Sequence, residues 1–514
     1  MGTVYLVGAG PGDPKLCTIR GLELIRSAEV IVYDYLASPR LVAQRKPDAR
    51  AIYVGKRPGR HAMKQDDINR LLVDLAGELE SVVRLKGGDP FIFGRGGEEA
   101  LALSAAGVSF EVVPGITAGV AAPAYAGIPL THRGIASTAL LVTGHEEPRE
   151  GSSGRDLLSP AAGRFVMTGP ATPPTLVVYM GVRNIELITK AIIDTGRAPE
   201  TPAAVVAWGS TAEQKTITER LDSIAALCIE NAIEPPAILV VGNVVELRDK
   251  LRWYDTLPLF GKRILVTRSI DQQSVLVDEL ESRGAGVIVG PTIEIHPPES
   301  FDELDRAIER LAEYMWVIFT SQNSVKYLFE RLEVLGYDAR FLAGTRCAAI
   351  GKVTARALKA RGIRADLIPQ KENAEGLLDA FDAKSEALED SRVLFPCSSE
   401  SRDTLPRGLE SRGAVVDRVI AYEVSAPGET ADFVRTAFDP PPDLVSFTSP
   451  STVRNLIDLL KVAELGDLYE DIPAATIGPV TASVARTVGF RVVVEAQEAS
   501  EVALVNSIET YFEG

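Results

Sequence analysis

The second half of the chain repeats itself. Leu280-Glu-Ser-Arg-Gly-Ala285 returns as Leu409-Glu-Ser-Arg-Gly-Ala414. Val317-Ile-Phe-Thr-Ser321 returns as Val445-Ser-Phe-Thr-Ser449, and Ala349-Ile-Gly-Lys-Val-Thr-Ala355 as Thr476-Ile-Gly-Pro-Val-Thr-Ala482. The three pairs keep one order and one offset of about 128 residues, the length of a small α/β lobe. One pair could arise by chance; three in order predict two homologous lobes. Two lobes leave a cleft between them, where small ligands usually bind.

The whole chain keeps a single rhythm. Short apolar runs such as Val4–Val7, Val30–Tyr33, Val82–Leu85, Ala237–Val241 and Trp316–Phe319 alternate with amphipathic stretches, and each is followed by Gly, Pro or a capping residue. This predicts an α/β fold, and 514 residues allow about three or four compact units. A break falls at Trp253–Gly261. A charged helix over Val245–Arg252 ends there, and Pro258 and Gly261 precede a fresh strand from Lys262. The reading is therefore a first unit over 1–255, with lobes of about 1–116 and 117–250, and a second over 256–514. Glu146–Thr175, rich in Gly, Pro and Ser, reads as a connection between the first unit's lobes.

A net charge of −16 argues against a nucleic-acid or membrane-surface binder. Cys17, Cys228, Cys347 and Cys397 are far apart and match no disulfide framework or metal knuckle, and the four histidines are equally scattered, so no metal site is expected. The chain runs directly into a strand at Thr3, without a basic segment followed by a long apolar core, and a cytoplasmic protein is expected.

Val7-Gly-Ala-Gly-Pro-Gly-Asp-Pro14 follows the first strand but is not a dinucleotide fingerprint: the third glycine would fall at Asp13, and Pro11 lacks an amide for a phosphate. Arg84-Leu-Lys-Gly-Gly-Asp-Pro-Phe-Ile-Phe-Gly-Arg-Gly-Gly-Glu98 is the most distinctive stretch. Its glycines let backbone approach a ligand closely, and Phe91, Ile92 and Phe93 are too apolar for a solvated loop, so they are expected to line a pocket.

These segments, with Asp34-Tyr-Leu36, Gly55-Lys-Arg57, Pro114-Gly-Ile-Thr-Ala118, Gly127–Arg133 and Tyr179-Met-Gly181, resemble in order the uroporphyrinogen-III C-methyltransferases of the tetrapyrrole methylase family. The resemblance covers about the first 250 residues and implies two α/β lobes with S-adenosylmethionine in the cleft between them. It places Pro11, Gly87, Gly88, Asp89, Ile92, Thr117, Ala118, Met180 and Gly209 around that donor. It makes Asp34 and Lys56 the acid/base pair, and Arg57, Arg84 and Arg133 candidate contacts to substrate carboxylates. It also implies a homodimer through this half. One departure is the Glu146–Thr175 connector, which is long and lacks the usual Asp-Trp near its centre. Relatives on this fold also methylate later corrins, a modified protein residue or ribosomal RNA; the Gly-Gly-Asp-Pro-Phe-Ile-Phe-Gly-Arg run and Gly55-Lys-Arg57 favour uroporphyrinogen III.

The second half shows no catalytic triad, metal site or phosphate loop. Its repeated motifs put small hydroxyls and glycine at strand ends, where helix N-termini offer amides to carboxylates. From Phe260 onward it resembles uroporphyrinogen-III synthase, through Gly261–Arg268, Phe319–Ser324, Arg402–Pro406, Ala421-Tyr422, Phe447-Thr-Ser449 and Ile477–Ala482. The resemblance implies segment-exchanged lobes: 262–291 with 425–514, and 296–420, hinged by strands near Thr292–His296 and Val419–Val424. It makes Tyr422 the candidate for assisting loss of a substrate hydroxyl, and Thr320, Ser321, Thr448, Ser449, Gly478 and Thr481 candidate substrate contacts, with no cofactor. Pro396-Cys-Ser398 departs from the common Pro-Arg-Ala and removes a basic contact. The activities implied are closure of hydroxymethylbilane to uroporphyrinogen III and its double methylation to precorrin-2, towards sirohaem or cobalamin. The rival for this half is a non-catalytic two-lobed binding module.

Overall fold

The computed structural model describes residues 1–55, 63–144, 173–267, 275–290, 294–383, 388–399, 401, 403–425, 430–466, 469 and 471–514. Its strands form four five-stranded sheets. The first has the order β3-β2-β4-β1-β5, from β1 (Thr3–Gly8), β2 (Val30–Tyr33), β3 (Arg50–Tyr53), β4 (Ser81–Lys86) and β5 (Ser109–Val113), all parallel. Helices cover both faces, so the central strands are buried runs rather than alternating ones. On one face the helix Gln65–Glu78 presents Ile68, Leu72, Leu75 and Ala76, spaced as a 3.6-residue period requires.

The second sheet is mixed, in the order β6-β7-β10-β8-β9: β6 (Ala139–Thr143), β7 (Thr175–Tyr179), β8 (Pro202–Ala207), β9 (Lys215–Arg220) and β10 (Ala237–Val241). The helix Ala118–Tyr125 lies on it through small residues, Ala122 meeting Val206 and Val240 in one core. Nearly all of the Glu146–Thr175 connector lies outside the described residues.

The third sheet, β12-β11-β18-β19-β20, is all parallel: β11 (Arg263–Val266), β12 (Gly286–Val289), β18 (Leu444–Phe447), β19 (Pro473–Thr476) and β20 (Arg491–Glu495). The fourth, β13-β17-β16-β14-β15, takes the chain between: β13 (Glu294–His296), β14 (Trp316–Phe319), β15 (Arg346–Ala349), β16 (Arg392–Ser398) and β17 (Val415–Ser425). The third sheet thus takes its strands from 263–289 and 444–495, and the fourth from 294–425. The chain crosses between the two sheets at β13 and β17, which pair antiparallel, Glu294 opposite Ser425 and His296 opposite Glu423. Two of the three repeated pairs occupy similar local structures. Val317–Ser321 and Val445–Ser449 run from a strand into a helix capped by serine; Ala349–Ala355 and Thr476–Ala482 run from a strand into a helix that begins at glycine.

The boundary at Trp253–Gly261 is an anchored joint. Trp253 Nε1 donates to the Ala124 carbonyl (3.1 Å), Arg248 pairs with Asp255, and Leu259 is fully buried against the second half, its amide donating to the Arg283 carbonyl (2.8 Å). The rings of Tyr125, Trp253, Tyr254 and Phe260 follow one another with centroids 4.8–5.5 Å apart. The helix Val275–Ser282 then meets the first half directly. Asp278 pairs with Lys15 (3.0 Å), and Glu281 with both Lys15 (3.6 Å) and Arg40. No helix among the described residues is long and apolar enough to cross a membrane.

Candidate functional sites in two clefts

In the first half, three glycine turns interlock at strand ends. Gly10 and Gly88 form a short antiparallel bridge, with amide–carbonyl distances of 3.2 and 2.7 Å. A Cβ on Gly115 would come within 2.3 Å of the Gly88 carbonyl oxygen, so only glycine allows this approach. Gly88 itself has φ +69°, and a Cβ there would stand 3.7 Å from the Ala118 amide. Asp89 fastens the turns: one carboxylate oxygen accepts from the Phe91 amide (2.8 Å) and the other from the Gly115 amide (3.0 Å).

Gly209 lies so close to Ala122 that a Cβ would come within 2.3 Å of it. Positive φ at the non-glycine residues Phe93, Arg95, Met180, Trp208 and Ser210 concentrates strained backbone around this cleft, as at other ligand sites. Phe91, Ile92, Phe93, Ile116 and Met180 remain exposed, an unusual density of bare apolar side chains. Pro11 begins the turn that leads to Asp13, whose carboxylate accepts from Tyr125 Oη (3.0 Å).

Tyr179 was overlooked as an individual residue. Its hydroxyl lies 2.8 Å from both Thr117 Oγ1 and the Gly119 amide, and its ring 4.9 Å from that of Phe93. It thereby holds the loop beside Met180 against the one bearing Thr117 and Ala118. Burial pushes its phenol up, against the opposing effect of those two hydrogen bonds.

Asp34 stands at the end of β2. One oxygen accepts from the Leu36 amide (3.2 Å) and the other from Arg84 Nη2 (3.0 Å). Arg84, expected to meet a substrate carboxylate, is only 3% exposed. It donates to Glu99, Asp34 and the carbonyls of Val32 and Leu85. Arg133 is exposed, in a turn closed by His132 and Ala136. Lys56 and Arg57 lie outside the described residues. Sequence reasoning missed Lys86 and Glu99, which share the buried cluster; burial, together with the neighbouring Arg84 charge, pushes the Lys86 ammonium below its ordinary value. Their signal was two cations at alternate positions of a central strand, which must share one face.

In the second half, Thr320 and Ser321 follow β14. Ser321 caps the helix Gln322–Val334 in a reciprocal box with Ser324. The Ser321 hydroxyl lies 3.0 Å from that of Tyr422, which the crossing strand β17 carries back from a distance of 101 residues. Tyr422 is buried and stacks on Tyr327 at 5.7 Å. Burial raises its phenol, and hydrogen bonds with Ser321 and Ser398 oppose that. In the other lobe, Thr448 precedes Ser449, which caps Pro450–Val462 by accepting from the Thr452 amide (3.3 Å). Gly478 begins the helix Pro479–Thr487. Thr481, expected to contact substrate, is 3% exposed within that helix's first turn. Thr320, Ser321, Thr448, Ser449 and Gly478 follow the carboxyl ends of parallel strands, where open α/β sheets bind ligands, whereas Tyr422 lies within β17 and Thr481 within a helix. Among the described residues no group of His, Cys, Asp and Glu could hold a metal ion.

Two family models match the chain: Tetrapyrrole (Corrin/Porphyrin) Methylases over residues 3–225, and Uroporphyrinogen-III synthase HemD over residues 274–506. The Porphyrin biosynthesis protein HemD of Ruminiclostridium josui is 37% identical over 494 residues, which is 96% of this chain and 95% of that one. A uroporphyrinogen-III C-methyltransferase of Bacillus subtilis (strain 168) is 40% identical over 348 residues, 68% of this chain and 69% of its own. Among solved structures, uroporphyrin-III C-methyl transferase from Thermus thermophilus complexed with S-adenyl homocysteine is 40% identical, covering 48% of this chain and 100% of its own, with a TM-score of 0.40.

Proposed function

The chain belongs to the porphyrin-biosynthesis HemD family, a tetrapyrrole methylase joined to a uroporphyrinogen-III synthase, and from that premise we propose that it closes hydroxymethylbilane to uroporphyrinogen III and methylates this product twice to precorrin-2. One observation carries the proposal. The family model of the second half is named for making uroporphyrinogen III, a relative matched at 40% identity is named for methylating it, and another relative aligns with this chain over 96% of its length.

The interlocked glycine turns support S-adenosylmethionine as the donor in the first cleft. A Cβ at Gly88 would lie 3.7 Å from the Ala118 amide and 3.8 Å from Thr117 Cα, which sets the backbone of these two loops side by side, and Gly209 packs closely on Ala122. When bound, that donor supplies an electrophilic methyl group on a sulfonium. The chain's own part is to hold the macrocycle in line and to take up the ring proton, for which Asp34 and Lys56 are the assigned groups. In the second cleft the hydroxyls and helix N-termini of both lobes bind the bilane's carboxylates, and Tyr422 assists departure of its terminal hydroxyl. Catalysis there is mainly the holding of a flexible chain in its closing shape. A homodimer belongs to the same reading and rests on the family resemblance.

The test is a coupled assay on the full chain. With hydroxymethylbilane alone, uroporphyrinogen III is expected in excess over isomer I; with S-adenosylmethionine added, precorrin-2 absorbance follows. Asp34→Ala is expected to slow the second reaction only, leaving a measurable rate, and Tyr422→Phe to slow the first only. Isomer I alone, or no methyl transfer to uroporphyrinogen III, overturns the assignment.

A further inference from the structure

Arg84 and Lys86 project from the same face of β4, the central strand of the first sheet, into the layer that the helix Gly96–Ala105 covers. Two cations in that layer are costly unless paired. The pairing carboxylate is Glu99, fully buried in the first turn of that helix, where the helix dipole favours a negative charge. A single oxygen, Oε1, accepts from Lys86 Nζ (2.8 Å), Arg84 Nε (3.1 Å) and Gln65 Nε2 (3.3 Å). One carboxylate against two cations leaves an excess positive charge, and the second carboxylate of the cluster is Asp34, 3.0 Å from Arg84 Nη2. The carbonyls of Val32 and Leu85 receive Arg84 Nη1 and fix the plane of the guanidinium. The result is an unbroken line from the interior to the cleft: Lys86, Glu99, Arg84, Asp34. Asp34 alone of the four has appreciable side-chain exposure, 24% against at most 6% for the others.

We infer that Glu99 is a positioning residue for methyl transfer: through Arg84 it fixes the direction in which the Asp34 carboxylate faces the substrate. The inference rests on the reading of Asp34 as the proton-handling group. It also gives Arg84 a role other than substrate binding, since its fork is spent on two carboxylates of the protein. A planar guanidinium bridges both at once, which a single ammonium cannot do.

The experiment uses the full chain and measures methyl transfer from S-adenosylmethionine to uroporphyrinogen III. Glu99→Gln and Arg84→Lys are each expected to lower kcat about ten- to a hundredfold, the usual consequence of a misdirected catalytic group. KM for the tetrapyrrole and the Kd of S-adenosylhomocysteine should stay within about twofold, which also shows that the variants fold. In an Asp34→Ala background Glu99→Gln should cost nothing further, because the group it aims is gone. Additive losses, or a Glu99→Gln loss confined to KM, overturn the inference. An Asp34→Ala chain with the parent's kcat instead overturns the reading of Asp34 on which it stands.

Discussion

Cys347 lies in β15 with its amide donating to Asp366 (2.8 Å), and burial, helped by that carboxylate, pushes its thiol up to about 12 from an ordinary 9.0. Between those values the folded chain keeps a proton that the unfolded chain has lost. Its contribution to stability is therefore complete below pH 9 and fades as the pH rises towards 12. Cys347→Ala is expected to melt below the parent at pH 8, by a cavity cost of about 1 kcal/mol, and the gap should narrow at pH 10; a constant gap would contradict the assignment. Gly209→Ala drives a methyl group into Ala122. The expected strain is about 1–3 kcal/mol, read as weaker S-adenosylhomocysteine binding by titration calorimetry. The same scale marks a limit of legibility. Glu98 and Glu99 are adjacent, yet Glu98 pairs at the surface with Arg95 (2.8 Å), while Glu99 is fully buried under two cations. One residue turns a helix by a hundred degrees. The Gly-Gly-Glu-Glu run gives composition without the phase that decides which carboxylate goes in.

At the scale of elements, the Phe-Thr-Ser motifs were legible because serine after an apolar run is a helix-start signal, and both serines do cap helices. Replacing either with alanine is expected to cost about 1 kcal/mol in thermal or urea unfolding. The two should differ in the synthase reaction. Ser321 also meets Tyr422, so Ser321→Ala and Tyr422→Phe should be less than additive in rate, while Ser449→Ala and Tyr422→Phe should add. That contact could not be read from the chain. It depends on how far β17 runs past β16 before it crosses, and the register slips by one residue between Cys397 and Ser398, which sets Tyr422 opposite Ser398. Arg84 was misjudged for a related reason. Alternation in a strand tells faces apart but does not say which are covered, and both faces of this sheet are.

At the scale of the molecule, the packing of Trp253–Gly261 and the helix after it on the first half was not legible, because ion pairs such as Lys15–Asp278 join residues with no local signal. Glu281→Lys places like charges opposite Lys15 and Arg40. It should speed chymotryptic cleavage at Trp253–Phe260, and adding Arg40→Glu should restore the parent's resistance in part. Unchanged cleavage would mean that the aromatic joint suffices. The double crossing at β13 and β17 has a mechanical consequence. The sheet built from β12, β11, β18, β19 and β20 is tied to the first half through the helix Val275–Ser282, so closure of the second cleft on bilane is expected to move the 294–425 body relative to the rest. Spin labels on 65–78 and 352–360 should then change separation when bilane binds, whereas labels on 65–78 and 450–462 should not. On that expectation the methyl-transfer site stays with the unmoving side, and its rate should not change when bilane is bound.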